Sequence, residues 1–328
     1  MRPVQPEQRP VLVLAGPTAA GKTGVAMRLS EQLRCEIIGA DARQIFRSMD
    51  IGTAKPTRED RARVSHHCID IRDPHESYSA AEYAHDARQA ILSIPHSSLP
   101  IIVGGSGLYI TAAIDGLSTD GVATDPEVRD EIVREFDVYG RDAMYERLQE
   151  LDPRAADRYA DRNPRRIQRA LEYIRMTGRP FSRSWDAPRD AANVDALYIG
   201  ITQDREVLNA MIDARCDQMW QDGLIEETQR ILDMGVDRKA QSLRTVGYYE
   251  ALSVIDGRRT ADEANEDLKK STRQYAKRQR TWFRKDKRYT WISGSIETMT
   301  AQICAILDTK GWQSTFVDLH RSNQGRSE

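Results

Sequence analysis

The residues with the clearest chemical signature form the stretch GPTAAGKT at positions 16–23. This stretch fits the phosphate-loop pattern G-x-x-x-x-G-K-[ST] at every fixed position. In such loops, backbone N–H groups converge on phosphate oxygens, and the lysine reaches the outer phosphate. The hydroxyl of the last residue binds Mg²⁺. We therefore expect a phosphate or diphosphate on Gly16, Pro17, Thr18, Ala19, Ala20, Gly21, Lys22 and Thr23, with Mg²⁺ as cofactor on Thr23.

Two further polar positions follow apolar runs that predict strands. Asp41 comes directly after the run at 35–40, and Ser106 lies in a glycine-rich stretch after the run at 100–103. In open α/β sheets, ligands bind outside the carboxyl ends of the strands, so both side chains are expected beside the phosphate loop. From the residues alone, Asp41 could equally be a helix N-cap, and the glycines could form an ordinary tight turn.

The adjacent pair His66 and His67 invites a metal interpretation. Neighbouring side chains on a strand point to opposite faces, so two adjacent histidines chelate one metal poorly. We expect one of them to order the backbone or to contact the substrate.

A parallel α/β core is needed to position these residues. Apolar runs at 11–15, 35–40, 100–103 and 197–202 predict buried strands, and helical spacing of apolar residues follows Lys22. Because strand, glycine loop and helix occur in the order that phosphate binding requires, a chance glycine turn is disfavoured. The strands at 100–103 and 197–202 do not end in the apolar run plus Asp that holds Mg²⁺ in hydrolytic P-loop enzymes, which favours group transfer. The predicted fold class is α/β, a P-loop NTPase-like parallel sheet core with a helical insertion domain.

The insertion is indicated by a change in composition between 119 and 199. This segment is rich in Arg, Asp and Glu and has helical periodicity; Asn163 as N-cap, Pro164 and Gly178 frame one of its helices. We predict a discontinuous catalytic core at 1–118 and 200–315, the insertion at 119–199, and disordered ends at 1–9 and 316–328. The arginines of the insertion are expected either to contact RNA or to form a solvated face.

The most basic window, residues 269–288, carries ten Lys and Arg residues against one Asp. One helical face within and beside it is formed by Leu268, Thr272, Tyr275, Gln279 and Trp282. Such a helix can pack on the core and present its basic flanks to the phosphates of a nucleic acid. Binding to a membrane surface is an alternative that we rank low, because these cations accompany a phosphate loop.

The overall composition restricts where such a protein acts. The formal net charge of the 328 residues is −2, so any polyanion must bind to a local surface. The four cysteines are scattered without a C-x-x-C pair, which indicates a reducing compartment. No apolar run approaches the ~20 residues of a membrane span, and no signal peptide is evident. We expect a cytoplasmic, monomeric protein that makes no membrane contact.

Several motifs in order resemble the tRNA dimethylallyltransferase (tRNA isopentenyltransferase) family. Besides the phosphate loop, they are DARQIFRSMDIGTAKP at 41–56, HHCID at 66–70, GGSGLY at 104–109, RRIQRALE at 165–172, RTVGYYE at 244–250 and STRQYAKRQRTWFR at 271–284. The resemblance covers roughly 10–292. Ser106 stands where the family usually has Thr, which removes a methyl group and keeps the hydroxyl.

The resemblance implies transfer of a dimethylallyl group from dimethylallyl diphosphate to N6 of the adenine 3′ of the anticodon, within the anticodon stem-loop of tRNA. It implies that Asp41 is the general base, that Ser106 and Arg215 are further catalytic residues, and that Arg215 binds the diphosphate together with the loop. The implied tRNA contacts are Asp41, Ala42, Arg43, Gln44, Ser106, Arg129, Arg165, Arg166, Ile167, Gln168, Arg169, Arg244, Thr245, Val246, Gly247, Tyr248 and Tyr249.

Three other functions share part of these features. A small-molecule P-loop kinase explains the first strand, the loop and Asp41, but not the basic window. An isopentenyltransferase that acts on free adenine nucleotides would use the same prenyl-transfer chemistry, but it would not need the insertion. A non-catalytic RNA-binding protein does not need Lys22, Thr23 and Asp41 together.

Overall fold

The computed structural model describes residues 8–117, 122 and 125–317. The chain divides into two compact units, one that runs to Ile114 and resumes at Ala192, and one from Asp115 to Ala191. The predicted boundary at 199/200 falls inside a strand of the first unit, so the chain returns to the core about eight residues earlier than predicted. Of the predicted ends, residues 1–7 and 318–328 lie outside the described residues.

The first unit is built on six strands, all paired in parallel. The strands are β1 (Arg9–Ala15), β2 (Cys35–Ala40), β3 (His66–His67), β4 (Leu99–Gly104), β5 (Val194–Ile201) and β6 (Thr290–Ile292). Their spatial order is β3-β2-β4-β1-β5-β6. This arrangement confirms the predicted class and the four predicted strands. The sequence analysis predicted β3 only as a histidine pair on a strand, and it missed β6.

Helices connect the strands of the first unit. They are α1 (Lys22–Ser30), α2 (Arg58–Arg63), α3 (Ala80–Ser93), α4 (Gly107–Asp115), α8 (Arg205–Gln221), α9 (Leu224–Asp233), α10 (Tyr248–Ile255), α11 (Ala261–Phe283), α12 (Ile296–Thr309) and α13 (Trp312–Phe316). The second unit contains α5 (Pro126–Leu151), α6 (Pro153–Arg158), α7 (Pro164–Thr177) and a 3₁₀ helix at Phe181–Asp186.

Strand β1 is the centre of the sheet. It lies between β4 and β5, and residues 11–15 are completely buried because both of its faces are covered. The chain leaves β1 for β2 on one side of the sheet and later adds β5 on the other. The carboxyl end of β1 is therefore a topological switch point, where such sheets form a ligand crevice.

The second unit has its own apolar core, which includes Ile132, Met144, Leu148 and Ile167. Helix α7 begins and ends as predicted. The Asn163 Oδ1 accepts hydrogen bonds from the N–H groups of Arg165 and Arg166, and Gly178 ends the helix in the left-handed conformation with φ 66°. These caps fix where the helix that carries Arg165 and Arg166 starts.

The predicted tail at 316–328 is corrected at its start, because Phe316 belongs to a helix. Residues 312–316 form α13, with Trp312 and Phe316 buried, and the Arg34 N–H donates to the Phe316 carbonyl oxygen at 2.7 Å. The two apolar rings outweigh the polar residues between them, so the chain stays packed to at least Phe316. Within the described residues, every helix falls short of the length or apolarity that crossing a membrane requires.

Candidate active site

The phosphate loop leaves the carboxyl end of β1 in a conformation that its glycines make possible. A Cβ on Gly16 would lie 2.2 Å from the Ile201 carbonyl oxygen, so no side chain fits there. Gly21 has φ 94° and precedes α1, whose N-terminus has no side-chain cap. The first N–H groups of α1 are therefore available to an anion at the switch point.

Lys22 is folded back over the loop, where its Nζ donates to the Pro17 carbonyl oxygen at 2.6 Å. Burial lowers the pKa of Lys22 to about 7; the nearby Arg215 cation lowers it further, and the Asp41 carboxylate opposes both. Without a bound anion, this lysine is therefore protonated about half of the time at pH 7. A bound diphosphate would favour the charged form.

Arg215 comes from α8 and reaches the same loop. Its Nη1 lies 3.5 Å from the Thr18 Oγ1, at the limit of a hydrogen bond. Burial lowers the pKa of the guanidinium, and Asp41 raises it. Two cations and one carboxylate from three different elements thus meet at the switch point, as expected for these residues.

Asp41 and Ser106 are linked through the end of β2. The Asp41 Oδ1 accepts from the Arg43 N–H at 2.9 Å, and the Ser106 Oγ accepts from the Ala42 N–H at 3.1 Å. The Ser106 N–H donates to the Ala40 carbonyl oxygen at 3.0 Å. The alternative that Asp41 caps a helix is wrong, because residues 42–45 form turns and the next helix begins at Arg58.

Gln279, on α11, joins the two glycine turns, and the sequence analysis missed this role. Its Oε1 accepts from the Thr18 N–H at 2.9 Å, and its Nε2 donates to the Gly105 carbonyl oxygen at 3.0 Å. A Cβ on Gly105 would lie 2.1 Å from that Nε2. The available signal was a glutamine on the apolar face of a helix, where a buried amide must find partners.

Two cavities meet at Asp41. A cleft that is open to solvent is lined by the phosphate loop, Lys22, Gly39 and Gln279. A second cavity is lined by Arg43, Val246 and Tyr275, among others. Thr18, Asp41 and Arg215 line both. A group held by the phosphate loop and a group in the second cavity can therefore approach Asp41 from different sides.

The second cavity has a cationic and aromatic wall. The Arg43 guanidinium lies 4.4 Å from the centre of the Tyr275 ring, and burial raises the pKa of the Tyr275 hydroxyl, which hydrogen-bonds to Ser106. The Gln44 Nε2 donates to the carbonyl oxygens of Thr53 and Ala54, both at 3.1 Å. These contacts fix the chain that follows Asp41.

Glu227, on α9, binds the backbone of the loop that follows Asp41, and the sequence analysis also missed this role. This carboxylate is 3% exposed and accepts from the N–H groups of Asp50, Ile51 and Gly52 and from the Tyr248 hydroxyl at 2.6 Å. A Cβ on Gly52 would lie 2.7 Å from the Tyr248 ring. The loop at 41–55 is therefore held near its start by the hydrogen bonds of Gln44 and near its end by those of Glu227.

The predicted tRNA contacts of the first unit divide into surface and interior residues. Arg244 and Tyr249 are exposed, Thr245 and Val246 are half-buried, and Ala42 is half-buried next to Asp41. Tyr248 is completely buried, and Gly247, with φ 102°, lies beneath the surface at the start of α10. The prediction that Tyr248 contacts RNA is therefore corrected, because its buried side chain packs inside the first unit.

The predicted contacts of the second unit lie mainly on α7. Arg165 and Arg166 are exposed, Gln168 and Arg169 are half-buried, and Arg129 on α5 is exposed with an ion pair to Glu172 at 3.6 Å. Ile167 is completely buried in the core of this unit. The buried Ile167 side chain cannot contact RNA, so the prediction that Ile167 is a tRNA contact is corrected. Its exposed neighbours Arg165 and Arg166 face outward.

The two histidines differ in their partners. The His67 Nε2 lies 2.7 Å from a Glu36 oxygen, whereas the His66 Nδ1 lies 2.8 Å from the Val64 carbonyl oxygen and His66 lines the phosphate cleft. Among the described residues, no three His, Cys, Asp or Glu side chains are grouped so that they could hold a metal. A cation at this site would depend on Thr23 and on oxygens of the substrate.

Comparison with known proteins identifies relatives over most of the chain. The family described as IPP transferase matches residues 44–286. The chain is 43% identical over 284 residues to the tRNA dimethylallyltransferase of Bacillus licheniformis, covering 86% of this chain and 90% of that protein. It is 40% identical over 286 residues to the tRNA dimethylallyltransferase of Bacillus subtilis, with coverages of 87% and 91%.

Solved structures are similar over the same length. A crystal structure of a full-length tRNA isopentenylpyrophosphate transferase from Bacillus halodurans has a TM-score of 0.69 and 35% identity, covering 97% of this chain and 99% of that one. A eukaryotic dimethylallyltransferase acting on tRNA has a TM-score of 0.77 at 24% identity, covering 95% and 82%. At that identity the second similarity concerns the fold alone.

Proposed function

The chain belongs to the IPP transferase family, and from this premise we propose that it transfers a dimethylallyl group from dimethylallyl diphosphate to N6 of the adenine 3′ of the anticodon. Prenyl transfer to tRNA is its activity. The observation that carries the finer proposal is the position of Asp41, which lines both the phosphate cleft and the second cavity. A carboxylate at that junction can receive a proton from a nucleophile that attacks a diphosphate ester.

The proposed reaction needs a good leaving group, because the N6 lone pair of adenine is delocalised into the ring. The bond between the allyl carbon and the diphosphate oxygen breaks while the bond between N6 and that carbon forms. Negative charge develops on the departing diphosphate. The loop amides, Lys22 and Arg215, which lie together at the switch point, would stabilise it. Asp41 receives the N6 proton within hydrogen-bond reach.

Ser106 is proposed to act on the same carboxylate. Its hydroxyl holds the Ala42 N–H, and the Asp41 Oδ1 holds the Arg43 N–H, so one short turn fixes the general base. Removal of the Ser106 hydroxyl would release this turn and slow turnover without removing the base.

Mg²⁺ is proposed as the cofactor, and the residues present fit it. Thr23 is exposed at the first turn of α1, at the position where phosphate loops supply a hydroxyl to the cation. Mg²⁺ in phosphate sites commonly takes one or two protein ligands and completes its shell with phosphate oxygens and water. When bound, it supplies positive charge to the diphosphate.

The second cavity is proposed to receive the target adenine. A base within a folded loop is recognised after it leaves its stack, by aromatic or guanidinium planes and by contacts to its edges. The Arg43–Tyr275 pair offers such planes beside Asp41. The exposed residues Arg244 and Tyr249 would then contact the flanking RNA, and Arg165 and Arg166 its backbone.

Location and assembly follow from the same proposal. The protein is also proposed to act as a monomer. The tRNA substrate and the four buried cysteines, which are scattered without a C-x-x-C pair, support a cytoplasmic location.

The proposal is tested by incubating the protein and Mg²⁺ with labelled dimethylallyl diphosphate and tRNA from a strain that lacks the modification. We expect label in tRNA, mapped by nuclease digestion and mass spectrometry to the adenine 3′ of the anticodon. Label in AMP without tRNA would instead indicate an enzyme of free nucleotides. Consumption of ATP with no label transfer would indicate a kinase.

A further inference from the structure

One carboxylate of the second unit is hidden from solvent and lies between two arginines. Glu172, on α7, is 2% exposed. Its Oε1 lies 3.2 Å from the Arg169 Nη1, three residues earlier on the same helix, and 3.6 Å from the Arg129 Nη2 on α5. One oxygen is thus shared by guanidinium groups from two helices. A buried charge needs such partners, because removal from water disfavours it.

The two contacts are ion pairs without aligned hydrogen bonds. Among the described residues, none forms a hydrogen bond with the Glu172 Oε1 or the Arg169 Nη1, although both atoms are buried. The Arg169 Nη2 donates to the Val122 carbonyl oxygen at 3.3 Å. Arg169 is therefore held from two sides. The exposed guanidinium of Arg129 has Glu172 as its one ionic partner within the part of the chain that the structure describes.

A carboxylate at this place needs an explanation, because its neighbours are expected to bind RNA. Arg129 and Arg169 are both expected tRNA contacts, and the exposed Arg165 precedes Arg169 by one turn of α7. A carboxylate repels phosphate groups and lowers affinity for RNA unless it has another role. Two neighbouring guanidinium groups also repel each other before RNA binds. A shared carboxylate offsets that repulsion, and its burial keeps it away from the RNA.

A second carboxylate between the same two helices provides a comparison. Glu135, on α5, also joins two arginines, since its oxygens lie 2.8 Å from the Arg147 Nη1 and 2.8 Å from the Arg175 Nη2. Neither arginine is an expected tRNA contact, and Glu131 adds another carboxylate 3.4 Å from Arg175. The charges of that group are balanced. At Glu172 the cations outnumber the carboxylate, and an RNA phosphate would neutralise the excess.

Resting on the proposed function, we propose that Glu172 is a positioning residue for the RNA backbone, which holds the Arg129 and Arg169 side chains so that they meet neighbouring phosphates of the tRNA together. Glu172 itself does not touch the RNA. Because the two cations are in place before the tRNA arrives, less side-chain freedom is lost on binding. The transfer chemistry at Asp41 is unchanged.

The test measures the Kd for tRNA of Glu172→Gln and of the matched control Glu135→Gln. Each variant removes one negative charge from the second unit and releases two arginines. If charge alone mattered, both variants would bind tRNA at least as tightly as the wild type, because a repulsive charge is gone. Positioning predicts the opposite sign for Glu172→Gln only. Its Kd should rise about threefold or more, and that of Glu135→Gln should stay within about twofold of the wild type.

Kinetics separate this role from a general loss of folded protein. In Glu172→Gln, KM for tRNA should rise with the Kd, whereas kcat at saturating tRNA and KM for dimethylallyl diphosphate should equal the wild-type values. A partly unfolded preparation would lower the apparent kcat instead. A fall in kcat without a rise in the Kd for tRNA would therefore contradict the positioning role.

A double-mutant cycle assigns the effect to the arginines. Arg129→Gln leaves Arg169 as a partner of the carboxylate, and this variant should bind tRNA more weakly than the wild type. Addition of Glu172→Gln to it should cause a smaller further loss than the same change causes in the wild type, because one of the two positioned groups is already gone. Equal losses in both backgrounds would show that Glu172 does not act through Arg129.

The inference is overturned by a Kd for tRNA of Glu172→Gln that equals or lies below the wild-type value, or by an equal rise in Glu135→Gln. A wild-type protein that neither binds tRNA nor transfers the prenyl group would contradict the proposed function instead. The two failures are distinguishable because the second is visible without any variant.

Discussion

At the scale of single residues, the site depends on charges that the fold has made unfavourable. Lys22 and Arg215 are both half-buried beside the phosphate loop, and Asp41 is the carboxylate that compensates them. Burial disfavours the charged forms when no anion is bound. An arriving diphosphate supplies the missing negative charge, so this destabilisation becomes a preference for that ligand.

This balance predicts that diphosphate binding takes up a proton. The pKa of Lys22 is about 7 without the anion and should rise when the anion binds. Affinity for inorganic diphosphate should therefore fall as pH rises through about 7, by up to tenfold for each pH unit until the pKa of the complex is reached. Titration calorimetry in buffers of different ionisation enthalpy measures the proton uptake. Lys22→Met should abolish it; an unchanged uptake would place the titrating group elsewhere.

Asp41→Asn separates the chemical role of Asp41 from its structural one. The amide oxygen can still accept from the Arg43 N–H, so the turn and the affinity for tRNA should be kept. The amide cannot take the N6 proton, and kcat should fall about 10²–10⁴-fold. Single-turnover assays with both substrates saturating provide the measurement. Wild-type turnover would leave Asp41 with the turn alone.

At the scale of elements, α9 and α11 each form hydrogen bonds to a loop of the site that is distant in sequence. Glu227 on α9 binds three successive N–H groups of the loop at 50–52, 175 to 177 residues away. Gln279 on α11 binds the phosphate loop across 261 residues. Each helix therefore fixes a loop that has no regular structure of its own.

Glu227→Gln should loosen the loop, because its new amide N–H group would face backbone donors. We expect a decrease of about 1–3 kcal/mol in the free energy of unfolding, measured by urea titration. Hydrogen exchange should increase at 50–52, and KM for tRNA should rise more than KM for dimethylallyl diphosphate. Tyr248→Phe, which removes one donor only, is the milder control. Equal exchange rates in wild type and Glu227→Gln would contradict the anchoring role.

Helix α7 carries a prediction about RNA. Charge reversal at Arg165 and Arg166 should weaken tRNA binding and reduce the slope of log affinity against log salt by about 0.7–0.9 for each phosphate that the protein no longer neutralises. Binding of dimethylallyl diphosphate should not change. Reversal of the exposed Arg28 and Arg63, with the same change in net charge, is the control. Equal slopes in both double variants would show that α7 does not bind RNA phosphates.

The sequence predicts the elements that local physics determines. Apolar runs that end in Asp41 or Gly104 mark buried strands, and Asn163 and Gly178 mark a helix, since each signal lies within a few residues. Strands β3 and β6 have two and three residues, too few for a period to be visible. Glu227 and Gln279 could not be assigned because their partners are distant in sequence, and Tyr248 and Ile167 were expected to face RNA because a motif does not report burial.

At the scale of the whole molecule, the first unit is assembled from both sides of the insertion. Lys22, Asp41 and Ser106 precede the second unit, whereas Arg215, Glu227 and Gln279 follow it. The second unit closes on its own core between Asp115 and Ala191. The surface that a tRNA meets is consequently set by local charge, since the net charge of −2 attracts no polyanion.

The span between Thr18 and Gln279 bears on how the protein comes into being on the ribosome. Chains emerge from the N-terminus, and domains fold as they appear. The phosphate loop is among the first segments to emerge, yet the side chain that ties it to the Gly105 turn is synthesised 261 residues later. A growing chain therefore carries the loop unbraced through most of its synthesis. Phosphate binding should be acquired late, when α11 has cleared the exit tunnel, so a partly made chain does not engage the cell's diphosphates.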